Sequence, residues 1–148
     1  PVKALLVVDL PFGEEPAFER GLRDAGFPMV PLLAPTTTLD RAQQILAERP
    51  DPGAAAPFAQ RFAYVVARLG VTGTGQGTDL APVARRVAEL RALSERPLAV
   101  GFGLSDPRSL AQVRSLGATP VVGSALVQAL ADGQGLREAL SGRMVGDG

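Results

Sequence analysis

Five short stretches of the chain are apolar almost without a break. They are ALLVVD (Ala4–Asp9), MVPLLA (Met29–Ala34), FAYVVA (Phe62–Ala67), LAVG (Leu98–Gly101) and PVVG (Pro120–Gly123). A strand with one wet face alternates apolar and polar side chains, so unbroken runs of this kind predict parallel strands covered on both faces. Between them the apolar positions take a helical spacing. Glu15–Ala25 begins with acidic residues and Pro16 and stops at Gly26. Leu39–Glu48 follows Thr38, a plausible N-cap, and stops before Pro50. Leu80–Leu93 carries Val83, Val87 and Leu90 on one stripe, after the candidate cap Asp79. Pro107–Leu116 follows Ser105-Asp106 and ends at Gly117, Ser124–Leu130 closes before Gly133, and Leu136–Leu140 adds a last turn. Such caps and stops bound helices for stated physical reasons.

Strand and helix alternate in units of roughly twenty to thirty residues, which predicts βα repeats and a parallel sheet. RPDPGAAAPFAQ (Arg49–Gln60) is rich in Pro and Ala and reads as a loop. The tail SGRMVGDG, 141–148, is expected to fray. Five strands suit either an open doubly wound sheet or an incomplete (β/α)8 barrel. The chain has no initiator Met and opens almost directly inside an apolar run, so we expect an N-terminal part of the protein to precede it.

Composition narrows the function classes. With 148 residues and 46 % hydrophobic content the chain has the size and core of one domain. Lys+Arg and Asp+Glu both number 15, which leaves no positive excess for a nucleic acid. The apolar runs are too short to span a bilayer, and the opening PVKALLVVDL has no charged leader or cleavage site. Cysteine and histidine are both absent. Thiolate nucleophiles, His-containing triads and Cys or His metal sites are therefore excluded, and acid–base chemistry falls to carboxylates or tyrosine. We expect no metal site. Lys3 is the single lysine, which reads as genome bias and not as function.

The ends of the predicted strands hold the chemistry. Read in order, the last three carry Gly70-Val71-Thr72-Gly73, Gly101-Phe102-Gly103 and Gly123-Ser124. Neither a dinucleotide fingerprint nor a P-loop is present. One glycine cluster is most simply a tight turn, but three at consecutive strand ends favour a ligand. A phosphate monoester needs several donors, and backbone N–H groups reach it only where no Cβ intervenes. The N-terminus of a short helix adds free N–H groups and the positive end of a dipole. GSALVQAL supplies such a helix, with Ser124 giving an N–H and a hydroxyl. No Lys or Arg immediately flanks Gly103 or Gly123, as suits a site built from backbone.

Other residues are weighed in the same way. Tyr64 is the single tyrosine and sits within a strand, where core packing and a substrate contact are equally good readings. Asp9 ends an apolar strand and is the best-placed carboxylate, unless it is a helix cap or loop anchor. Glu14 and Glu15 read as a solvated first helical turn. Arg68 and Thr72 border the glycine-rich loop GVTGTGQGTDL, Gly70–Leu80, which is expected to be mobile and to act as a lid.

ARLGVTG, GFGLS and VVGSALV, in that order and spacing, closely resemble the alpha subunit of tryptophan synthase. ALLVVDLP resembles the fourth strand of that family's barrel and VPLLAPTTTLD its fifth strand and loop. GFG and GSA recur across phosphate-binding barrels. Tyr64 four residues before Arg68, followed by GVTG, is more specific. The resemblance covers nearly the whole chain, 1–148, as a partial TIM barrel: strands four to eight, its phosphate-binding C-terminal part. It implies a cytoplasmic lyase of tryptophan biosynthesis that cleaves indole-3-glycerol phosphate to indole and glyceraldehyde 3-phosphate. A beta subunit carrying pyridoxal phosphate takes the indole, so no cofactor is implied in this chain. By resemblance Gly73, Gly103, Gly123 and Ser124 hold the substrate phosphate. Tyr64 lies at the active site, Arg68 supports it, and Thr72 bonds a catalytic aspartate when the loop closes.

Two departures qualify the resemblance. The family's catalytic glutamate and aspartate have no match in this sequence, so the chain alone is expected to be inactive. The segment Arg49–Gln60 is longer than the family's pattern and reads as a surface insertion. Rival readings are another phosphate-binding barrel lyase or isomerase, such as thiamine phosphate synthase or the histidine-biosynthesis barrels, and a non-catalytic half-barrel that binds phosphate esters.

Overall fold

The computed structural model describes residues 2–10, 12–47, 61–67, 70–71, 78–101, 103–104, 106–135 and 137–139. They fall into two compact units, 1–66 with 89–98 and 67–88 with 99–148. The predicted insertion Arg49–Gln60 and the tail 141–148 lie outside the described residues.

In the first unit, Pro16 opens helix α1 (Pro16–Asp24), where its missing N–H would have had no intrahelical partner. The helix ends because Gly26 takes φ +85°, letting its N–H reach the Arg23 carbonyl and that of Phe27 reach Leu22. The sequence then runs into Pro28–Leu33, six consecutive buried residues. Only Leu32–Leu33 of that run forms a regular strand, β1. It pairs in parallel with β2 (Ala63–Val66), Leu32 opposite Tyr64 and Leu33 opposite Val65. Helix α2 (Leu39–Ala47) starts at Thr38, whose Oγ1 accepts the Arg41 N–H, and buries Ala42, Ile45 and Leu46. Leu33, Val65, Leu90 and Leu98 are among the unit's largest fully buried side chains. Each contributes about 1.5–3 kcal/mol relative to exposure.

The expected strand Ala4–Asp9 is reduced to one parallel bridge, Leu5 to Met29, and residues 8–9 lie in a turn. Leu5 donates to the Pro28 carbonyl and accepts from Val30. Val2, Leu6 and Val8 remain exposed. A run that reads as buried on both faces is covered here on one side, so the regular ladder does not extend along it.

In the second unit, β3 (Gly70–Val71) and β4 (Thr78–Asp79) form an antiparallel pair, Gly70 opposite Asp79 and Val71 opposite Thr78. The two ends of the glycine-rich stretch expected as a continuous loop are thus paired; the rest of the expected lid, 72–77, lies outside the described residues. Asp79 then caps helix α3 (Ala81–Leu93), its Oδ1 accepting the Ala81 N–H at 2.9 Å. This helix and the strand β5 (Leu98–Gly101) pass from one unit to the other. Helix α4 (Pro107–Ser115) follows β5, then β6 (Thr119–Val121) and helix α5 (Ser124–Ala131). Arg137–Ala139 are helical, as the last predicted turn required.

β5 and β6 are parallel, with Ala99, Val100 and Gly101 opposite Thr119, Pro120 and Val121. β5 is wholly buried, as its apolar run demands. β6 is not: it begins one residue earlier than Pro120–Gly123 predicts, and Val121 is exposed. No helix among the described residues is long and apolar enough to cross a membrane.

Candidate phosphate site

The ladder between β5 and β6 sets the geometry. Gly101 stands opposite Val121. Two residues beyond that pair the chain reaches Gly103 after one strand and Gly123 after the other. The register therefore carries both glycines past the carboxyl end of one parallel pair, the end where ligands gather in such folds.

The two glycines are there for different reasons. Gly103 has φ +77°, a conformation that side chains with a Cβ rarely adopt. Gly123 has φ −121° and ψ −82°, and a Cβ built on it meets nothing within 4 Å. Its packing does not call for glycine. What the missing side chain leaves is open space beside a helix start.

The helix starts in this unit then divide. Asp106 caps α4: its Oδ1 accepts the Ser109 N–H at 2.9 Å and its Oδ2 the Ser109 hydroxyl at 2.5 Å. Burial raises the Asp106 pKa, but the Ser109 hydroxyl and backbone N–H groups around it outweigh that and hold the carboxyl below its usual value. The positive end of α4 thus already faces an anion from its own chain. α5 has Gly123 as N-cap and no side-chain cap. The Gly123 carbonyl takes the Leu126 and Val127 N–H groups, and Ser124 is exposed at the first helical position. Such a start suits an external anion.

Tyr64 belongs to the first unit. It lies on β2 opposite Leu32, and its N–H donates to the Pro31 carbonyl at 2.8 Å. The ring is half-buried, and that burial pushes the phenol pKa up. At neutral pH it is a hydrogen-bond donor and not a base. Asp9 is exposed in its turn, Glu14 and Glu15 are exposed, and Glu15 is the N-cap residue of α1. Arg68, Thr72 and Gly73 lie outside the described residues. Among the described residues no group of three carboxylates stands where a metal could bind.

Sequence reasoning missed a polar cluster beside α1. Glu19 is buried and its Oε1 accepts the Gly13 N–H, while Arg41 on α2 donates to the Phe12 carbonyl. Spacing gave no signal for it, because the apolar stripe of α1 points to Phe18 and Leu22 as its inner face.

Residues 1–144 match the sequence profile of the family described as Tryptophan synthase alpha chain. The chain is 36 % identical over 139 residues to the tryptophan synthase alpha chain of Nitrosococcus oceani, covering 94 % of this chain and 47 % of that one. It is 43 % identical over 129 residues to that of Gloeobacter violaceus, covering 86 % of this chain and 42 % of the other. The chain thus spans about half the length of these curated relatives. Among solved structures it resembles a chain of the tryptophan synthase α2β2 complex from Pyrococcus furiosus with a TM-score of 0.69 at 27 % identity, covering 96 % of this chain and 53 % of that one. A mutant alpha subunit from the same organism gives a TM-score of 0.70 at 25 % identity, over 97 % of this chain and 55 % of that one.

Proposed function

Because the chain belongs to the tryptophan synthase alpha chain family, we propose that it supplies the phosphate-binding part of that family's barrel. The substrate is then indole-3-glycerol phosphate, and the reaction its cleavage to indole and glyceraldehyde 3-phosphate. Gly103, Gly123 and Ser124 hold the phosphate, with Gly73 completing the cradle. The observation that carries this is the pair of glycines placed by one register beside a helix start that no side chain caps. Donors of this kind stabilise a dianion through backbone dipoles, without Lys or Arg.

By the family resemblance alone, Tyr64 is read as a neutral donor toward the substrate, and Arg68 and Thr72, which lie outside the described residues, as supporting residues. The proton moves belong to two carboxylates that have no match in this sequence: one takes the proton of a glycerol hydroxyl, the other assists at the indole ring. Both come from the remainder of the barrel. A beta subunit receives the indole, and pyridoxal phosphate works there. The resemblance to the family is the ground for reading the assembly as cytoplasmic.

Titration of glycerol phosphate into the folded protein tests the site. The amide resonances of Gly103, Gly123 and Ser124 should shift together and saturably. Amides that stay put at saturating ligand would refute the assignment.

A further inference from the structure

A cavity of about 460 Å³ opens where the start of helix α3 meets the end of helix α4. It lies wholly within the second unit. Asp79, Leu80, Ala81 and Ala84 line it from the α3 side, and Gln112, Ser115 and Leu116 from the last turn and C-cap of α4. The volume is in the range of small-molecule sites. Gly103, Gly123 and Ser124 are not among the lining residues, so the cavity is separate from the candidate phosphate site.

Burial sorts the lining by depth. Leu80 is buried and Ala84 and Leu116 are half-buried, whereas Asp79, Ala81, Gln112 and Ser115 are exposed. The cavity thus has an apolar floor and a largely polar rim.

The rim favours one sign of charge. Asp79 is the single charged residue among the described lining residues; Arg85 and Arg114 stand on the same two helices but do not line the cavity. The positive end of α3 is already met by Asp79, whose Oδ1 accepts the Ala81 N–H at 2.9 Å. Helix α4 brings its C-terminal end to the cavity, the negative end of its dipole. The Ser115 hydroxyl donates to the Gln112 carbonyl at 2.8 Å, so lone pairs are what its oxygen has left to offer. A carboxylate, a hydroxyl oxygen and a helix C-terminus together attract a cation and repel an anion. A bare metal ion is a poor match, because a hard cation takes six or more oxygen ligands and the described lining supplies one carboxylate.

We propose that this cavity binds a small organic ammonium ion, with its cationic head at the rim beside Asp79 and its compact apolar body on Leu80, Ala84 and Leu116. The Gln112 amide oxygen and the Ser115 hydroxyl oxygen are the further acceptors for the head.

Three probes of one shape and different charge test it: cyclohexylammonium, cyclohexanol and cyclohexanecarboxylate, titrated into the folded chain at neutral pH. Cyclohexylammonium should shift the Ala81, Ala84 and Leu116 amide resonances saturably. Cyclohexanol should bind more weakly, and the carboxylate should leave those amides in place. Asp79→Asn keeps a good N-cap side chain, so its melting temperature should stay close to wild type. Its affinity for cyclohexylammonium should fall about three- to fivefold, the scale of a solvent-exposed ion pair. Ala84→Leu fills the floor with a good helix former and should remove binding without unfolding the helix.

Amides that stay put with saturating cyclohexylammonium overturn the site. Equal affinity for all three probes, or unchanged affinity in a folded Asp79→Asn variant, overturns the recognition of charge. Binding that survives Ala84→Leu places the ligand elsewhere and overturns the assignment. None of these readouts involves a phosphate ester or turnover, so they decide the cavity independently of the proposed function.

Discussion

At the scale of single residues, the contrast between Gly103 and Gly123 gives the sharpest handle on function. Any substitution at Gly103 meets a backbone at φ +77° and is strained before a ligand is considered. Gly103→Val should weaken phosphate binding, but it will also destabilise the fold. Gly123 has no positive φ, and open space surrounds a built Cβ. Gly123→Ala should therefore leave the melting temperature nearly unchanged. If a phosphate sits there, the new methyl stands where an oxygen must approach, and affinity for glycerol phosphate should fall about tenfold or more, on the scale of one lost charge-assisted hydrogen bond. Calorimetric titration beside a thermal melt separates the two effects. Full affinity in Gly123→Ala would leave its glycine as a mere turn residue and remove it from the site.

At the scale of elements, helix α1 allows a paired test of how the chain stops and starts its helices. Gly21 lies inside α1 and Gly26 just beyond it, and a Cβ at either meets nothing within 4 Å. Only their backbones differ. Gly21→Ala should stabilise by about 0.5–1 kcal/mol, because alanine loses less entropy in a helix. Gly26→Ala should destabilise by about 1–2 kcal/mol, because φ +85° is strained for a residue with a Cβ. Chemical denaturation of both variants checks the opposed signs. These stops were legible in the sequence, as were the caps Asp79 and Asp106 and the strand Leu98–Gly101, because each depends on local chemistry or on unbroken apolar content. Ala4–Asp9 and Pro120–Gly123 were legible as apolar runs but not as the short or exposed pairings they form, since coverage is set by neighbours that a run does not encode. Glu19 was not legible, because the apolar spacing of α1 gives no sign of a carboxylate that turns inward to accept the Gly13 N–H. The glycines of the candidate site stood out in sequence, whereas the register that aligns Gly103 with Gly123 could be read only from the paired strands.

At the scale of the whole molecule, the question is what this chain does by itself. It spans about half the length of its curated relatives. Each unit leaves apolar surface uncovered, Val2, Leu6 and Val8 in the first and Val121, Val127 and Leu130 in the second. Unpaired strand edges and apolar patches of this kind favour self-association. On the proposed reading the reaction's glutamate and aspartate have no match in this chain, which bears more directly on activity. An acid–base group typically contributes about 10²–10⁴-fold in rate, so on that reading the lack of two should take turnover below detection. The 148-residue chain should bind phosphate esters and yet release no indole from indole-3-glycerol phosphate. Adding a polypeptide that supplies the barrel's first three strands with both carboxylates should restore cleavage and, by covering exposed apolar residues, suppress self-association. Replacing either carboxylate in that polypeptide should abolish cleavage while leaving association intact. Indole release by the purified chain alone would overturn this division of labour. Asp9 or Tyr64 would then have to carry the proton transfers, and Tyr64, whose phenol burial holds in its neutral form, is poorly suited to act as the base.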